Sequence, residues 1–452
     1  MNIIVVGIGK VGYTVAEQLT SEMHDVTIID MDGKVVDETM GELDAQGICG
    51  NGASSKVLYE AGIEDCDLLI ALTGSDETNL LICLLARKLG ANGTIARVRT
   101  PSYNEDIRLL KDSLGLSMAV NPEKEAADEI FRILRFPTAK NIDSFAKGKI
   151  DLVSFVANKK CTLCGHTIVE SFSKLKAKTL ICAIERGKNA FIPNGNTVIQ
   201  ENDTVALLAT PDEISHFFRE TNMQVAEVES VMIIGGGRLG QYLAAELARH
   251  KIKTTIIEKD EETAENLSFN FPKANVICGD GTNKTLLIEE GLLDFDAVCS
   301  LTGIDEENIL LSLYTKSMAS NTKTITKVNK IAFQEVIRSL DLGSVIYPKN
   351  LTANLILQHV RARKNNIGNN LETLFKIIDN KVEALEFKVA DDSKLIDITL
   401  EELQLRDNVI VGCINRKGRI FIPHGKDTLK AGDSVIIVTT ISGLTDLEDI
   451  KG

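Results

Sequence analysis

Three glycines spaced Gly-x-Gly-x-x-Gly, at Gly7, Gly9 and Gly12, follow the apolar run Ile3 to Val6, and an acidic residue, Asp30, stands 18 positions beyond the last of them. This combination is suited to holding a nucleotide. The glycines let a pyrophosphate approach the backbone at a helix N-terminus, and a carboxylate at the end of the next strand accepts hydrogen bonds from ribose hydroxyls. That carboxylate would repel a 2′-phosphate, so NAD(H) is expected over NADP(H), with ATP or ADP presenting the same ribose. Ile8, Lys10 and Val11 complete the loop, with Lys10 a candidate cation over the phosphates. Taken alone the glycine pattern is a weak signal, because the same residues also let a helix pack closely on a strand.

The pattern returns 228 residues later, where Gly235, Gly236, Gly237, Arg238, Leu239 and Gly240 follow Met232 to Ile234, and Glu258 takes the place of Asp30. Two further signatures recur at a spacing of 229. Gly50-Asn51-Gly52 becomes Gly279-Asp280-Gly281, and Leu72-Thr73-Gly74 with Asp76-Glu77 becomes Leu301-Thr302-Gly303 with Asp305-Glu306. Asn51 and Asp280, at the end of a third strand, are candidates to read the adenine or ribose. Thr73-Gly74 and Thr302-Gly303 fall at the carboxyl end of a fourth strand, where open α/β sheets bind ligands. Arg97 and Arg99, after a fifth strand, are replaced by Lys327 and Asn329, so the two sites should differ.

Short apolar runs alternating with amphipathic segments set these residues in place. Asn2 to Val6, Val26 to Asp30, Gln46 to Cys49, Leu68 to Leu72 and Thr94 to Val98 read as parallel strands joined by right-handed helical crossovers, a Rossmann-like half sheet. A helix at Glu123 to Arg135 carries Ala127, Ile130, Phe131 and Leu134 at helical spacing and is stopped by Pro137; its counterpart runs from Leu351 to Arg363. Such a stripe leaves two destinations open, the helix's own sheet or the other unit. Beyond Pro137 the composition turns β-rich, with strands at Thr179 to Glu185, Ala190 to Ile192 and Thr204 to Ala209 and a helix at Asp212 to Glu220. Phe191-Ile192-Pro193 with Gly195 returns as Phe421-Ile422-Pro423 with Gly425, so a small α+β domain is repeated as well. The chain reads as a tandem duplication: two Rossmann-like parallel-sheet domains at 1–137 and 229–365, each followed by a small α+β domain, at 138–222 and 371–452. Glu220 to Glu229 is expected to be an exposed linker.

A net charge of −14 argues against nucleic acid as a partner, since phosphate binding over a surface needs a basic field. No apolar run reaches the length of a membrane span, and the start MNIIVV reads as a strand rather than a leader, so a cytoplasmic chain is expected. Nine scattered cysteines fit reduced thiols. Cys161-x-x-Cys164-Gly-His166 is a partial metal pattern, expected in the small domain's first strand and turn, and it lacks a fourth ligand. None of the six histidines has a histidine at the matching position of the other unit: His24 aligns with Ile252, His250 with Glu22, His424 with Asn194. A dehydrogenase needs an acid or base beside the nicotinamide. Without one, binding without turnover is the better reading, and a soluble NAD-dependent oxidoreductase with a degenerate second half is the alternative. A nucleotide-sensing scaffold unrelated to ion transport is a third.

The glycine loops, the acidic strand ends, the Gly-Asn/Asp-Gly and Leu-Thr-Gly-x-Asp-Glu signatures, the helix after Asn121-Pro122 and the Ile-Pro-x-Gly loop together resemble the RCK unit, also described as KTN plus TrkA-C. Two such units in one chain resemble the TrkA family of regulatory subunits of Trk-type potassium uptake systems, over essentially all 452 residues. The resemblance implies NAD(H) or ATP/ADP binding in the Rossmann-like domains. It also implies a homotetrameric ring of eight units, attached peripherally at the inner face of the cell membrane to a membrane-embedded potassium channel or transporter subunit of Trk type. It assigns Gly7 to Val11 and Gly235 to Leu239 to the phosphate loops, Asp30 and Glu258 to the ribose, and Thr73 and Arg97 to further ligand contacts. Asn51, where the family commonly has Asp, and Lys327 with Asn329 depart from its pattern.

Overall fold

A computed structural model of the chain describes residues 1–101, 103, 107–136, 139–146, 149–223, 228–329, 337, 340, 342–365, 371–378, 381–441, 443–444 and 446–451. The first sheet is parallel and six-stranded. Its strands are β1 (Asn2–Val6), β2 (Asp25–Asp30), β3 (Gln46–Cys49), β4 (Leu68–Ala71), β5 (Thr94–Arg97) and β6 (Met118–Val120), in the order β3-β2-β1-β4-β5-β6. An antiparallel sheet follows, with β7 (Ala139–Phe145), β8 (Ile150–Val156), β9 (Leu180–Arg186), β10 (Asn189–Phe191) and β11 (Thr204–Ala209). Its order is β10-β9-β11-β8-β7.

The second half repeats both. Strands β12 (Ser230–Ile234), β13 (Lys253–Glu258), β14 (Asn275–Cys278), β15 (Ala297–Ser300), β16 (Lys323–Lys327) and β17 (Ser344–Ile346) form a parallel sheet ordered β14-β13-β12-β15-β16-β17. Strands β18 (Leu371–Ile377), β19 (Val382–Lys388), β20 (Val409–Arg416), β21 (Arg419–Phe421) and β22 (Ser434–Thr439) form the last, antiparallel sheet.

The parallel sheets follow from their sequences. Ile3, Ile4, Val5 and Val6 of β1 are all buried, as a strand covered by helices on both faces requires. Helix starts are marked by side chains: Asp32 accepts from the Lys34 amide, Ser75 from the Thr78 amide and Asp260 from the Thr263 amide. The half sheet of five strands expected from sequence is corrected to six. The unread strand is only the three residues Met118–Val120, too short to show a period, and it is preceded by a helix at Ile107–Leu114.

The chain divides into two compact units, one made of residues 1–134 with 228–357, the other of 135–227 with 358–452. Within the first, the helix Pro122–Arg135 takes its apolar stripe to the other half. Ala126, Ala127, Ile130 and Leu134 share a core with Val231 and Ile233 of β12 and with Leu243 and Leu247 of the helix Arg238–Arg249. Each fully buried Ile or Leu there contributes roughly 1.5–3 kcal/mol. Polar contacts fix the same seam. Lys323 Nζ donates to the Ile133 carbonyl at 2.5 Å, and the Phe131 and His250 rings lie 4.3 Å apart.

In the second unit the two antiparallel sheets share a core that includes Leu152, Ala183, Ala384 and Val438, with Phe145 edge-on to Phe375 at 4.7 Å. Strands β7 and β8 were not read from sequence, and Cys161 and Cys164 accordingly lie beyond β8 in a turn, rather than in a first strand. The expected exposed linker is corrected too: Thr221 and Met223 are buried, Met223 within the core of the first antiparallel sheet. Residues 224–227 and Pro137 lie outside the described residues. Among the described residues no helix is long and apolar enough to cross a membrane.

Candidate functional site

In each parallel sheet the strand order reverses direction between its first and fourth strands, β1 and β4 or β12 and β15. Crevices for ligands open beyond the carboxyl ends at such a point. In the first half this crevice is a cleft of about 500 Å³ lined by Gly7, Gly9, Val11, Asp30, Asn51, Thr73, Gly74 and Arg97, among others.

The glycines divide by what a side chain would meet. Gly7 sits at φ +90°, and a Cβ there would lie 2.7 Å from the Thr73 amide nitrogen; a Cβ on Gly12 would lie 2.0 Å from the Gly7 carbonyl oxygen. Both are required by the fold itself. Gly9 differs, for a Cβ there would meet no protein atom within 4 Å, and its backbone caps the helix Lys10–Ser21. The space beside Gly9 is therefore open at a helix N-terminus, the geometry that accepts a phosphate group. The second half repeats the division: Gly235 has φ +104°, a Cβ on Gly240 would lie 2.4 Å from the Gly235 oxygen, and Gly237 faces open space.

Asp30 Oδ2 accepts from the Ile8 amide at 2.6 Å and Oδ1 from the Asp32 amide at 3.0 Å. Glu258 does the same in the second half, from Gly236 at 2.6 Å and Asp260 at 2.9 Å. Each carboxylate is thereby held at the rim of its glycine loop, within reach of a ribose. Ile8 is buried, whereas at Gly236 a Cβ would lie 2.3 Å from Leu267 Cδ1 and 3.1 Å from Glu258 Oε2, so Leu267 first and then the acid take up the room of a side chain.

Asn51 Oδ1 accepts from the Ala53 amide at 2.9 Å, which shapes the turn after β3. Asp280 makes the same turn with Thr282 and in addition pairs with Lys259 at 2.9 Å. The Thr282 bonds first, and then the ammonium, hold its carboxyl down at about 2. Position 259 corresponds to Met31 in the first half, so the second cleft has an ion pair where the first has a thioether.

Two residue pairs given no role from sequence, although Asp76 and Asp305 belong to a repeated signature, hold the strand ends together. Asn79 Oδ1 accepts from the Thr73 amide at 2.8 Å while Nδ2 donates to the Arg97 carbonyl at 3.0 Å; Asn308 bridges Thr302 and Lys327 in the same way. Asp76 Oδ2 accepts from the Arg99 and Thr100 amides, and Asp305 from the Asn329 amide. The signal was available, since Asn79 and Asn308, like Asp76 and Asp305, are 229 apart. Arg97 donates to the Thr73 carbonyl and Arg99 to the Gly74 carbonyl, the latter at 2.5 Å. Lys327 Nζ donates to the Leu301 carbonyl at 3.1 Å. Lys10 and Arg238, the loop cations, line a separate cavity with Gly237 and Leu239, where the two halves meet.

The Cys161 thiol is pushed up to about 11 by burial, and no group able to hold a metal ion occurs among the described residues.

A duplicated parallel sheet with a glycine-loop cleft, each copy followed by a small antiparallel domain, defines a tandem chain of the TrkA-N/TrkA-C type. The TrkA-N domain family matches residues 3–122 and 231–348, and the TrkA-C domain family matches 152–222 and 384–452. The chain belongs to the TrkA family. It is 30% identical over 450 residues to a Trk system potassium uptake protein TrkA homolog of Archaeoglobus fulgidus, covering 100% of both chains. It is 31% identical over 440 residues to the Trk system potassium uptake protein TrkA of Halomonas elongata, covering 97% of this chain and 95% of that one. Among solved structures, the GsuK channel bound to NAD superposes with a TM-score of 0.63 at 20% identity, over 97% of this chain and 76% of that one. The GsuK RCK domain gives 0.62 at 20% identity, over 97% and 92%. These two likenesses establish the fold.

Proposed function

We propose that this chain is a nucleotide-sensing regulatory subunit of a Trk-type potassium uptake system and that it is not an enzyme. The observation that carries this reading is the repeated cradle: Gly9 and Gly237 open at helix N-termini, each beside a carboxylate, Asp30 or Glu258, fixed at the loop rim. NAD(H) and ATP/ADP are the ligands such a cradle suits, bound through Gly7 to Val11, Asp30, Asn51, Thr73, Gly74 and Arg97 in the first half. In the second they are bound through Gly235 to Leu239, Glu258, Asp280 and Thr302. The names of the full-length relatives support a potassium-uptake role. The partner is a membrane-embedded transporter subunit of Trk type, with the chain cytoplasmic and peripheral to it, as a homotetramer of eight units. The domains we assign are 1–137, 138–222, 229–365 and 371–452.

Regulation follows from linkage. A nucleotide shifts the assembly only by its differential affinity for two conformations, and a few kcal/mol moves most of the population. The chain should copurify with a Trk-type membrane subunit and make its potassium flux nucleotide-dependent. Steady NADH turnover on carbonyl substrates, abolished by a Gly9 substitution, would favour the oxidoreductase reading instead.

A further inference from the structure

The cavity where the two parallel-sheet halves meet has a volume of about 450 Å³ and gathers Lys10 and Arg97 from the first half with Arg238, Lys327 and Lys349 from the second. One carboxylate, Glu123, joins these five cations. Among the described residues none of the five forms an ion pair, and Arg97 Nε and Glu123 Oε2 are buried without a hydrogen-bond partner. Like charges confined in a half-buried space raise one another's energy. Burial first, then Arg99 and Arg238, pull the Arg97 guanidinium down to about 10, while burial and Lys10 draw the Lys327 and Lys349 ammonium groups below their usual range. An anion placed here would relieve both.

The cavity adjoins the first nucleotide cleft, because Val11 and Arg97 wall both. By the internal repeat Leu239 and Lys327 hold the equivalent positions in the second half, and with Lys10 and Val11 of one glycine loop and Gly237, Arg238 and Leu239 of the other in its wall the cavity borders both loops. A pyrophosphate held at one loop leaves the cations of the other half uncompensated. A chain of phosphoryl groups running from loop to loop, with one negative charge on each bridging group, matches the excess of cations.

We propose that this cavity is a polyphosphate site and that its ligand is a dinucleoside polyphosphate, with one adenosine in each cleft and the phosphates bridging the halves. The proposal rests on reading both clefts as adenine-nucleotide sites. Tethering the second adenosine to the first makes its binding intramolecular, so the bridged ligand gains affinity over either mononucleotide.

The test is calorimetric titration of the full-length chain with diadenosine tetraphosphate, ATP, NADH and inorganic tripolyphosphate. Diadenosine tetraphosphate should bind once per chain and on the order of a hundredfold more tightly than ATP. Lys349→Glu, at a cavity position outside both glycine loops, should weaken diadenosine tetraphosphate about tenfold or more and leave NADH affinity unchanged, and Lys349→Arg should restore it. Two diadenosine tetraphosphates per chain, an affinity no better than that of ATP, or tripolyphosphate alone binding as tightly would each overturn the bridge while leaving the clefts as nucleotide sites. Failure of ATP and NADH to bind as well would overturn the underlying reading along with it.

Discussion

Asp30 accepts the Ile8 amide proton at 2.6 Å, so the carboxylate that would read a ribose is positioned by the loop that would hold the phosphates. Glu258 repeats the relationship with Gly236. The two tasks proposed for the site, sugar recognition and phosphate binding, would thus be coupled through one hydrogen bond. Asp30→Ala should weaken adenine nucleotide binding to the first cleft by about 1–3 kcal/mol, the range for loss of a charge-assisted hydrogen bond. Calorimetry reading unchanged affinity and stoichiometry would remove Asp30 from the site.

The glycines separate binding from folding. Gly9 has φ −72° and open space where a Cβ would go, so Gly9→Ala should leave the melting temperature nearly unchanged and reduce nucleotide affinity about tenfold or more. Gly12→Ala places a Cβ against the Gly7 carbonyl and should destabilise the chain by about 1–3 kcal/mol or more. Thermal melts with and without nucleotide distinguish the two. Equal stability losses would show that Gly9 serves packing alone.

The crossover helix Pro122–Arg135 should behave as part of the second half's core. Ile130→Ala should cost about 2–5 kcal/mol and speed amide exchange in β12, whose Val231 and Ile233 share a core with it. Exchange changes confined to the first sheet would contradict the packing.

Lys323 gives the seam a pH signature. Burial pulls its ammonium down to about 8, against about 10.4 in an unfolded chain. Between those values the unfolded chain binds the extra proton, so stability should rise with pH from about 8 to about 10.4, while below 8 the penalty is constant. Lys323→Met should flatten that slope in urea melts taken across the window. An unaltered slope would mean that another group titrates there.

Much of this was legible in the sequence because duplication supplied an internal control. A glycine pattern that is weak once became informative when Asp30, Asn51 and Thr73 returned as Glu258, Asp280 and Thr302. Fully buried runs such as Ile3 to Val6 marked the long parallel strands. The short β6 escaped because three residues show no period. Strands β7 and β8 escaped because no repeated motif falls on them. The destination of the Ile130 stripe stayed open because periodicity tells which face of a helix is buried and not what buries it. Asn79 and Asp76 went unassigned although both repeat, since a side chain that braces two backbone segments declares itself only when both are in place. The meeting of Lys10 with Lys327 and Lys349 was beyond any local reading. These residues come together only because the two halves pack.

The most direct test of the regulatory account is rubidium flux through a co-reconstituted Trk-type membrane subunit, measured with this chain as NADH, ATP and ADP are varied. Flux should change with nucleotide, and the Asp30→Ala/Glu258→Ala double variant should abolish the response while still binding the membrane subunit. Flux that ignores nucleotide in the presence of a bound, nucleotide-loaded chain would contradict the account.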